Sequence, residues 1–330
     1  MQSLVRAALA ACFIFPGAAH AQSGFEVVTL GARGGIEDGN LSAYLIRPLD
    51  DERYVTCDAG SIVSGLRAAD EKGVFNAVEV PEDSPNDRVG HVLTERIKGY
   101  LISHAHLDHF AGVIIASPDD GKKPIYALPS VNERIERNYF NWEAWPNFGD
   151  RGKEPMLKKY GYADLRPGKA REIDDTEMSV TAFPLSHAGA ESTAFLIESG
   201  DAALLCFGDT GPDEVEKSTN IENIWTAVAD LARDGRLKGI IIETSYTNEQ
   251  PDEYLFGHLT PAWLMKSLAG LEAAAGAGAL KDMPVVVSHI KHSMKKGETP
   301  QERILEQLEE ANDLGVRFII PEQGMKWEFR

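Results

Sequence analysis

A layered α/β (α+β) fold is predicted by two features of this 330-residue sequence. Short apolar runs rich in β-branched and aromatic residues recur along the chain, and segments with helical hydrophobic periodicity lie between and after them. Runs as continuously apolar as GIIIET and MPVVVS are buried on both faces, which calls for sheets covered by helices. A hydrophobic fraction of 43% and a charged fraction of 25% describe a chain able to bury a sizeable core. No fixed-period repeat, low-complexity tract or Pro/Gly/Ser linker interrupts the sequence, so residues 22–330 are expected to form a single catalytic domain.

In order, strands are expected in FEVVTLG from Phe25, SAYLIRP from Ser42, RYVTCD from Arg53 and GYLIS from Gly99. More follow in MSVTAFPLS from Met178, STAFLIE from Ser192, AALLCFG from Ala202, GIIIET from Gly239 and MPVVVS from Met283. Amphipathic helices are expected around 215–235, 261–273 and 301–314, where apolar residues recur at helical spacing.

Residues 1–21 read differently. Arg6 precedes the apolar run AALAACFIF, Pro16-Gly17 breaks it, and small residues spaced as Ala-x-Ala end at Ala21. That is the pattern of a secretory signal peptide cleaved after Ala21. LAAC, ending at Cys12, resembles a lipobox, but the apolar stretch runs on through Phe15. The expected product is periplasmic, with no membrane association after cleavage. No later stretch approaches the roughly 18 apolar residues that a membrane span requires.

Cleavage removes one charged side chain and moves the formal charge from −18 to −19. A surface this acidic repels polyanions on average, which argues against DNA or tRNA as partner, whereas a small anion needs only a local positive site. The mature chain keeps Cys57 and Cys206, each inside an apolar run. Export permits a disulfide, but two buried thiols are the expectation.

The ends of the strands carry the chemistry. GYLIS ends in His104, VTAFPLS in His187, LLCFG in Asp209 and PVVVS in His289. One histidine at a strand end is usually a satisfied polar residue, but four such ends coincide with a cluster, HAHLDH at 104–109, that holds three of the nine histidines. In an extended segment residues i and i+2 project to one side, so His104 and His106 can grip one cation. Asp108 and His109 lie where the chain turns into a helix and can reach a second. Zn²⁺ takes imidazole and carboxylate ligands and keeps a position open in hydrolytic sites. Asp209 can give one carboxylate oxygen to each metal.

These residues resemble the metallo-β-lactamase superfamily, over most of residues 25–325. The resemblance implies an αββα sandwich. It assigns one metal to His104, His106 and His187 and a second to Asp108, His109 and His289, with Asp209 bridging. Asp58, in CDAG, matches a superfamily aspartate that supports the metal site; a turn-forming Asp before Gly60 is the competing reading. Within the superfamily, HAHLDHFAGVIIASP at 104–118 looks like the signature of the class II 3′,5′-cyclic-nucleotide phosphodiesterases. GHLTP at 257–261, STAF at 192–195 and SHIK at 288–291 look like the same family. One departure is Phe110, where the signature has an aliphatic residue, and a packing difference is expected there.

The resemblance implies hydrolysis of 3′,5′-cyclic nucleotides, cAMP and by extension cGMP, to 5′-nucleotides with two divalent cations, most simply Zn²⁺. Charge is consistent with it: two Zn²⁺ offset by Asp108, Asp209 and a hydroxide leave a centre of about +1 for a phosphodiester monoanion. The leaving 3′ oxygen needs a proton. The superfamily's tRNA 3′-processing nucleases place a comparable histidine as donor, which points to His258, and Glu243 resembles the acidic residue that orients it. Helix entry with Thr260 as the cap is the competing reading for His258.

Other residues carry less. His91 is expected to face solvent, His292 to neighbour the site without ligating, and Lys291 to be solvated. NYFNWEAWPNF at 138–148 interleaves Tyr139, Phe140, Trp142, Trp145 and Phe148 with amides. Such a segment could stack a purine, though packing over the sheet is the expectation. Four rivals remain. Exported zinc β-lactamases share HxHxDH but lack the bridging aspartate. Glyoxalase II, a thioesterase, shares the seven ligands but shows Thr-Pro-Gly-His-Thr where this chain has PLSHAG. The tRNA nucleases fit neither export nor charge. A non-catalytic metal-binding protein of this fold is the rival from another class.

Overall fold

The computed structural model describes residues 23–297 and 299–330, so the leader assigned to residues 1–21 lies outside the described residues. The first part of the chain forms β1 (Phe25–Gly31), β2 (Arg33–Gly34), β3 (Ala43–Pro48), β4 (Tyr54–Cys57), α1 (Val63–Glu71) and α2 (Arg88–His91). A π-helical turn, Val92–Arg96, leads into β5 (Ile97–Leu101), α3 (Leu107–Ala116), β6 (Lys123–Ala127), α4 (Pro129–Asn138) and β7 (Tyr160–Asp164). Next come β8 (Ala170–Glu172), β9 (Ser179–His187), β10 (Ala190–Ser199), β11 (Ala202–Phe207), α5 (Asp213–Glu216), α6 (Asn220–Arg233) and β12 (Leu237–Glu243). A 3₁₀ turn (Asp252–Tyr254) precedes α7 (Pro261–Ala275), β13 (Pro284–Ser288), β14 (Ile290–Lys291), α8 (Pro300–Ala311), β15 (Arg317–Ile319) and β16 (Lys326–Phe329).

Two seven-stranded sheets result, ordered β16-β1-β3-β4-β5-β6-β7 and β15-β13-β12-β11-β10-β9-β8. Each is antiparallel on one side and parallel on the other, the parallel blocks being β4-β5-β6-β7 and β11-β12-β13-β15. The last strand, β16, returns to pair with β1 in the first sheet. The predicted layering is borne out by alternation along the central strands. Leu204, Cys206, Ile241 and Val286 join the core shared with the first sheet, while Leu205, Phe207, Ile240, Ile242, Val285 and Val287 pack with α6, α7 and α8. A strand whose successive side chains enter two different cores must be apolar throughout, as these runs are. Each buried aliphatic side chain contributes roughly 1.5–3 kcal/mol.

All nine predicted strands form, and the three helices form with shifted ends. The first starts at Asn220 because Lys217, with φ 56°, ends α5 as a separate turn. The last begins at a capping box between Thr299 and Glu302 and ends at Ala311, since Asn312 leaves helical geometry with ψ 75°. Two expectations are corrected. Cys57 and Cys206 are joined in a disulfide, with Cα atoms 6.6 Å apart, instead of remaining thiols. They lie on the facing inner sides of β4 and β11, so closing the sandwich brings them opposite one another. His91 is 8% exposed rather than solvent-facing, because α2 packs against α1.

Parallel strands direct their C-terminal ends to one side, and loops there build sites. The ends of β4, β5, β11, β12 and β13 carry Asp58, His104, Asp209, Glu243 and His289 in that order. The short β2–β14 pair, Ile290 opposite Arg33 and Lys291 opposite Gly34, closes the same edge.

Candidate metal centre

The chain leaves β5 in extended form through His104 to His106, which stands at the N-cap of α3 with φ −70° and ψ 150°. His104 and His106 therefore fall on one side, with His104 Nε2 2.9 Å from His106 Nδ1. Asp108 enters the first turn of α3, where the helix dipole favours a carboxylate. His109 is buried beneath it. His187, at the end of β9, faces this cluster with ring centroids 5.1 Å from both His104 and His106.

Two triads emerge. Donor atoms of His104, His106 and His187 lie within 4.8 Å of one another, as do those of Asp108, His109 and His289. Asp209 Oδ2 stands between them: His109 Nε2 and His289 Nε2 are each 3.2 Å away, and His104 Nε2 and His187 Nε2 each 3.8 Å. Every residue assigned to metal from the sequence is Asp209 itself or a member of one of these triads.

The surrounding hydrogen bonds fix which ring nitrogen faces inward. His109 Nδ1–H donates to Asp58 Oδ2 at 2.7 Å and His187 Nδ1–H to the Gly257 carbonyl at 2.8 Å. Ser103 Oγ donates to Asp58 Oδ2 at 2.9 Å and so accepts from His104 Nδ1–H at 3.0 Å. Ser245 Oγ donates to Glu243 Oε2 at 2.7 Å and accepts from His289 Nδ1–H at 2.9 Å. Each of these imidazoles thereby turns its Nε2 toward Asp209. Outer contacts of this kind orient metal-ligating histidines. Asp58 is buried and does more than shape a turn.

The donor set fits a divalent cation. Imidazole nitrogens and carboxylate oxygens converge where little else can satisfy them, and Asp209 Oδ1 is buried with no hydrogen-bond partner. Burial pushes the Asp209 carboxyl up, but His109 and His289 outweigh it and hold it well below its ordinary range. Asp108 is lowered in the same way by His109 and His289. Burial and neighbouring imidazoles lower His104 and His106, and burial first of all lowers His289, keeping these rings neutral. His109 is the exception: burial works against its charge, yet Asp209, Asp58 and Asp108 raise it well above the usual value.

His258 belongs to neither of these two triads, though it also lies in donor groups with His187 and Asp209 and with Glu243 and His289. Its Nδ1–H donates to Glu243 Oε1 at 2.8 Å, and the ring lies 4.8 Å from His187 and 5.2 Å from His289 between centroids. Thr260 occupies the N-cap of α7 but makes no side-chain cap bond, so helix entry does not account for His258. Burial lowers the His258 pKa, and the Glu243 carboxylate more than offsets this, leaving it raised. Glu243 is held by the Thr210 N–H at 3.0 Å on Oε1 and the Ser245 N–H at 3.2 Å on Oε2.

Several contributors escape sequence reasoning. Ser103, Ser245 and the Gly257 carbonyl orient rings, and the Gly35 N–H donates to Asp108 Oδ2 at 2.9 Å. A Cβ at Gly34 would lie 2.3 Å from the His289 ring, so β2 passes beneath that ring only as glycine. The doubled glycine after β1 was the available signal. His292 pairs with Glu37 at 3.2 Å and stays outside the triads, as expected. Phe110 is buried and stacks on Tyr139, whose hydroxyl donates to the Ala105 carbonyl at 2.6 Å. Phe140 and Phe148 join the core and Trp145 Nε1–H donates to Ser117 Oγ at 3.0 Å, so segment 138–148 is mostly spent on packing.

Residues 25–324 match the family model described as cAMP phosphodiesterases class-II. A 3′,5′-cyclic-nucleotide phosphodiesterase of Aliivibrio fischeri is 54% identical over 311 residues, covering 94% of each chain. Among solved structures, unliganded yeast PDE1 aligns with a TM-score of 0.79 at 24% identity, over 94% of this chain and 100% of that one. The metallo-β-lactamase fold protein YhfI from Bacillus subtilis aligns with a TM-score of 0.59 at 15% identity, over 93% and 100%. The αββα sandwich is thus the metallo-β-lactamase fold.

Proposed function

The chain belongs to the class-II cAMP phosphodiesterase family, and from that premise we propose that it hydrolyses 3′,5′-cyclic nucleotides, cAMP and with it cGMP, to 5′-nucleotides at a centre of two Zn²⁺ ions. The observation that carries this reading is the pair of donor triads on either side of Asp209 Oδ2. His104, His106 and His187 would hold one ion and Asp108, His109 and His289 the other, with Asp209 shared.

When bound, such paired ions would supply a hydroxide nucleophile near neutral pH and a counter-charge for the phosphoryl oxygens. The chain supplies the rest. Asp58, Ser103, Ser245 and the Gly257 carbonyl hold the Nδ1 side of four rings, so that their Nε2 atoms are the ones presented to the cations. Glu243 holds the Nδ1 proton of His258 and favours the imidazolium, whose Nε2–H can pass to the departing 3′ oxygen.

His258→Ala tests the assignment. It should keep both metals by elemental analysis and lose turnover by about 10²–10⁴-fold. Lost metal with unchanged turnover per bound metal would overturn the role. We also infer export to the periplasm from residues 1–21, with residues 22–330 as the catalytic domain; a mature N-terminus at Gln22 is the expected result of protein sequencing, and an intact Met1 in periplasmic material contradicts it.

A further inference from the structure

A cyclic nucleotide presents a base as well as a phosphate, and the aromatic segment 138–148 has mostly been used for packing. A second aromatic pair, Tyr254 and Phe256, lies in the segment leading to His258. Tyr254 and Phe256 are 58% and 61% exposed, whereas Leu255 between them is buried at 1% and anchors the segment. The two rings lie 6.3 Å apart between centroids, tilted by 44°.

The position of this pair relative to the ligands follows from the backbone. Gly257 accepts the Nδ1 proton of His187, and a Cβ placed on Gly257 would be 2.6 Å from that nitrogen. Phe256 precedes it by one Cα step, about 3.8 Å. Phe256 itself has φ 52°, a left-handed conformation that a bulky side chain rarely adopts. Ala188, Asp58 and His289, three other residues at the site, share that conformation with φ of 46°, 54° and 55°. Backbone held in this region clusters at functional sites, where the surrounding structure enforces it.

The segment is also fixed upstream. The Tyr254 N–H donates to the Pro251 carbonyl at 2.9 Å, and Trp263 Nε1–H of α7 donates to Asp252 Oδ1 at 2.8 Å. Two large apolar rings are thus presented to water by a tethered loop whose next residue, Gly257, orients the His187 ring. Exposed aromatic rings bind nucleobases through their faces, and they do so without charge, which suits a neutral base in an acidic protein.

We propose that Tyr254 and Phe256 form the platform on which the nucleobase of the substrate stacks while its phosphate sits at the metal centre. The proposal rests on the phosphodiesterase reading of that centre. It is tested on the metal-loaded enzyme by calorimetric binding of 5′-AMP and of ribose 5-phosphate, which differ by the base alone. Phe256→Ala should weaken 5′-AMP roughly ten-fold or more and leave ribose 5-phosphate binding within two-fold. Phe256→Trp should retain the preference for 5′-AMP, and in cAMP hydrolysis the loss in Phe256→Ala should fall on KM. Equal weakening of both ligands, or no change in either for Phe256→Ala and the Tyr254→Ala/Phe256→Ala pair, would overturn the platform. A wild-type enzyme that leaves cAMP intact overturns the phosphodiesterase reading instead, and the platform with it.

Discussion

Replacing Glu243 by glutamine keeps the shape of the side chain and changes only its hydrogen-bonding character. The carboxylate is 1% exposed. Oε1 accepts from Thr210 N–H and His258 Nδ1–H, and Oε2 accepts from the Ser245 N–H, the Ser245 hydroxyl and the Leu259 N–H. Every neighbour is a donor. Whichever way the amide of Glu243→Gln turns, its NH₂ meets at least two of them, and each buried donor left unsatisfied costs about 1–3 kcal/mol. The expected loss is therefore about 2–6 kcal/mol, read as a fall in the denaturant midpoint.

The same change alters the pH profile. In the wild type Glu243 raises the His258 pKa, so the acid form is present below that value and is lost as pH rises through it. Without the carboxylate the alkaline limb of turnover should move to lower pH, and the maximal rate should fall by about 10²–10⁴-fold. The assay is the pH dependence of cAMP turnover at saturating metal, beside urea unfolding of the same preparation. An unfolding midpoint and an alkaline limb both unchanged would refute the reasoning.

Further predictions concern the frame. Reducing the Cys57–Cys206 disulfide, or replacing both residues by serine, releases a cross-link between residues 149 apart and should cost about 2–4 kcal/mol in urea unfolding; superimposable curves contradict this. Gly34→Ala places a methyl 2.3 Å from His289 Cε1 and should weaken one metal site roughly 10–100-fold in a metal titration while sparing the other. Retention of both sites at wild-type affinity would show that the ring can move aside without cost.

Four of the converging side chains were legible because each punctuates an apolar run: His104, His187, Asp209 and His289 stand at the ends of β5, β9, β11 and β13, which are otherwise hydrophobic. The segment 123–164 was harder. β6 and β7 carry lysine, proline, glycine and aspartate among few aliphatics, so their burial comes from parallel neighbours and not from a pattern of their own. The orienting groups were invisible for another reason. Ser245 reaches His289 across 44 residues and the Gly257 carbonyl reaches His187 across 70, and neither a hydroxyl nor a backbone carbonyl announces such a partner in sequence. The disulfide was misread because facing positions on two sheets have no shared sequence period. Cys57 and Cys206 each looked like one more buried apolar residue.

The most direct test of the central claim is turnover of 3′,5′-cAMP by the purified protein, with products separated chromatographically, before and after metal is stripped by a chelator. The account predicts release of 5′-AMP, its loss on chelation and its return when Zn²⁺ is restored. Intact cAMP in the presence of protein carrying two metal ions per chain would contradict it.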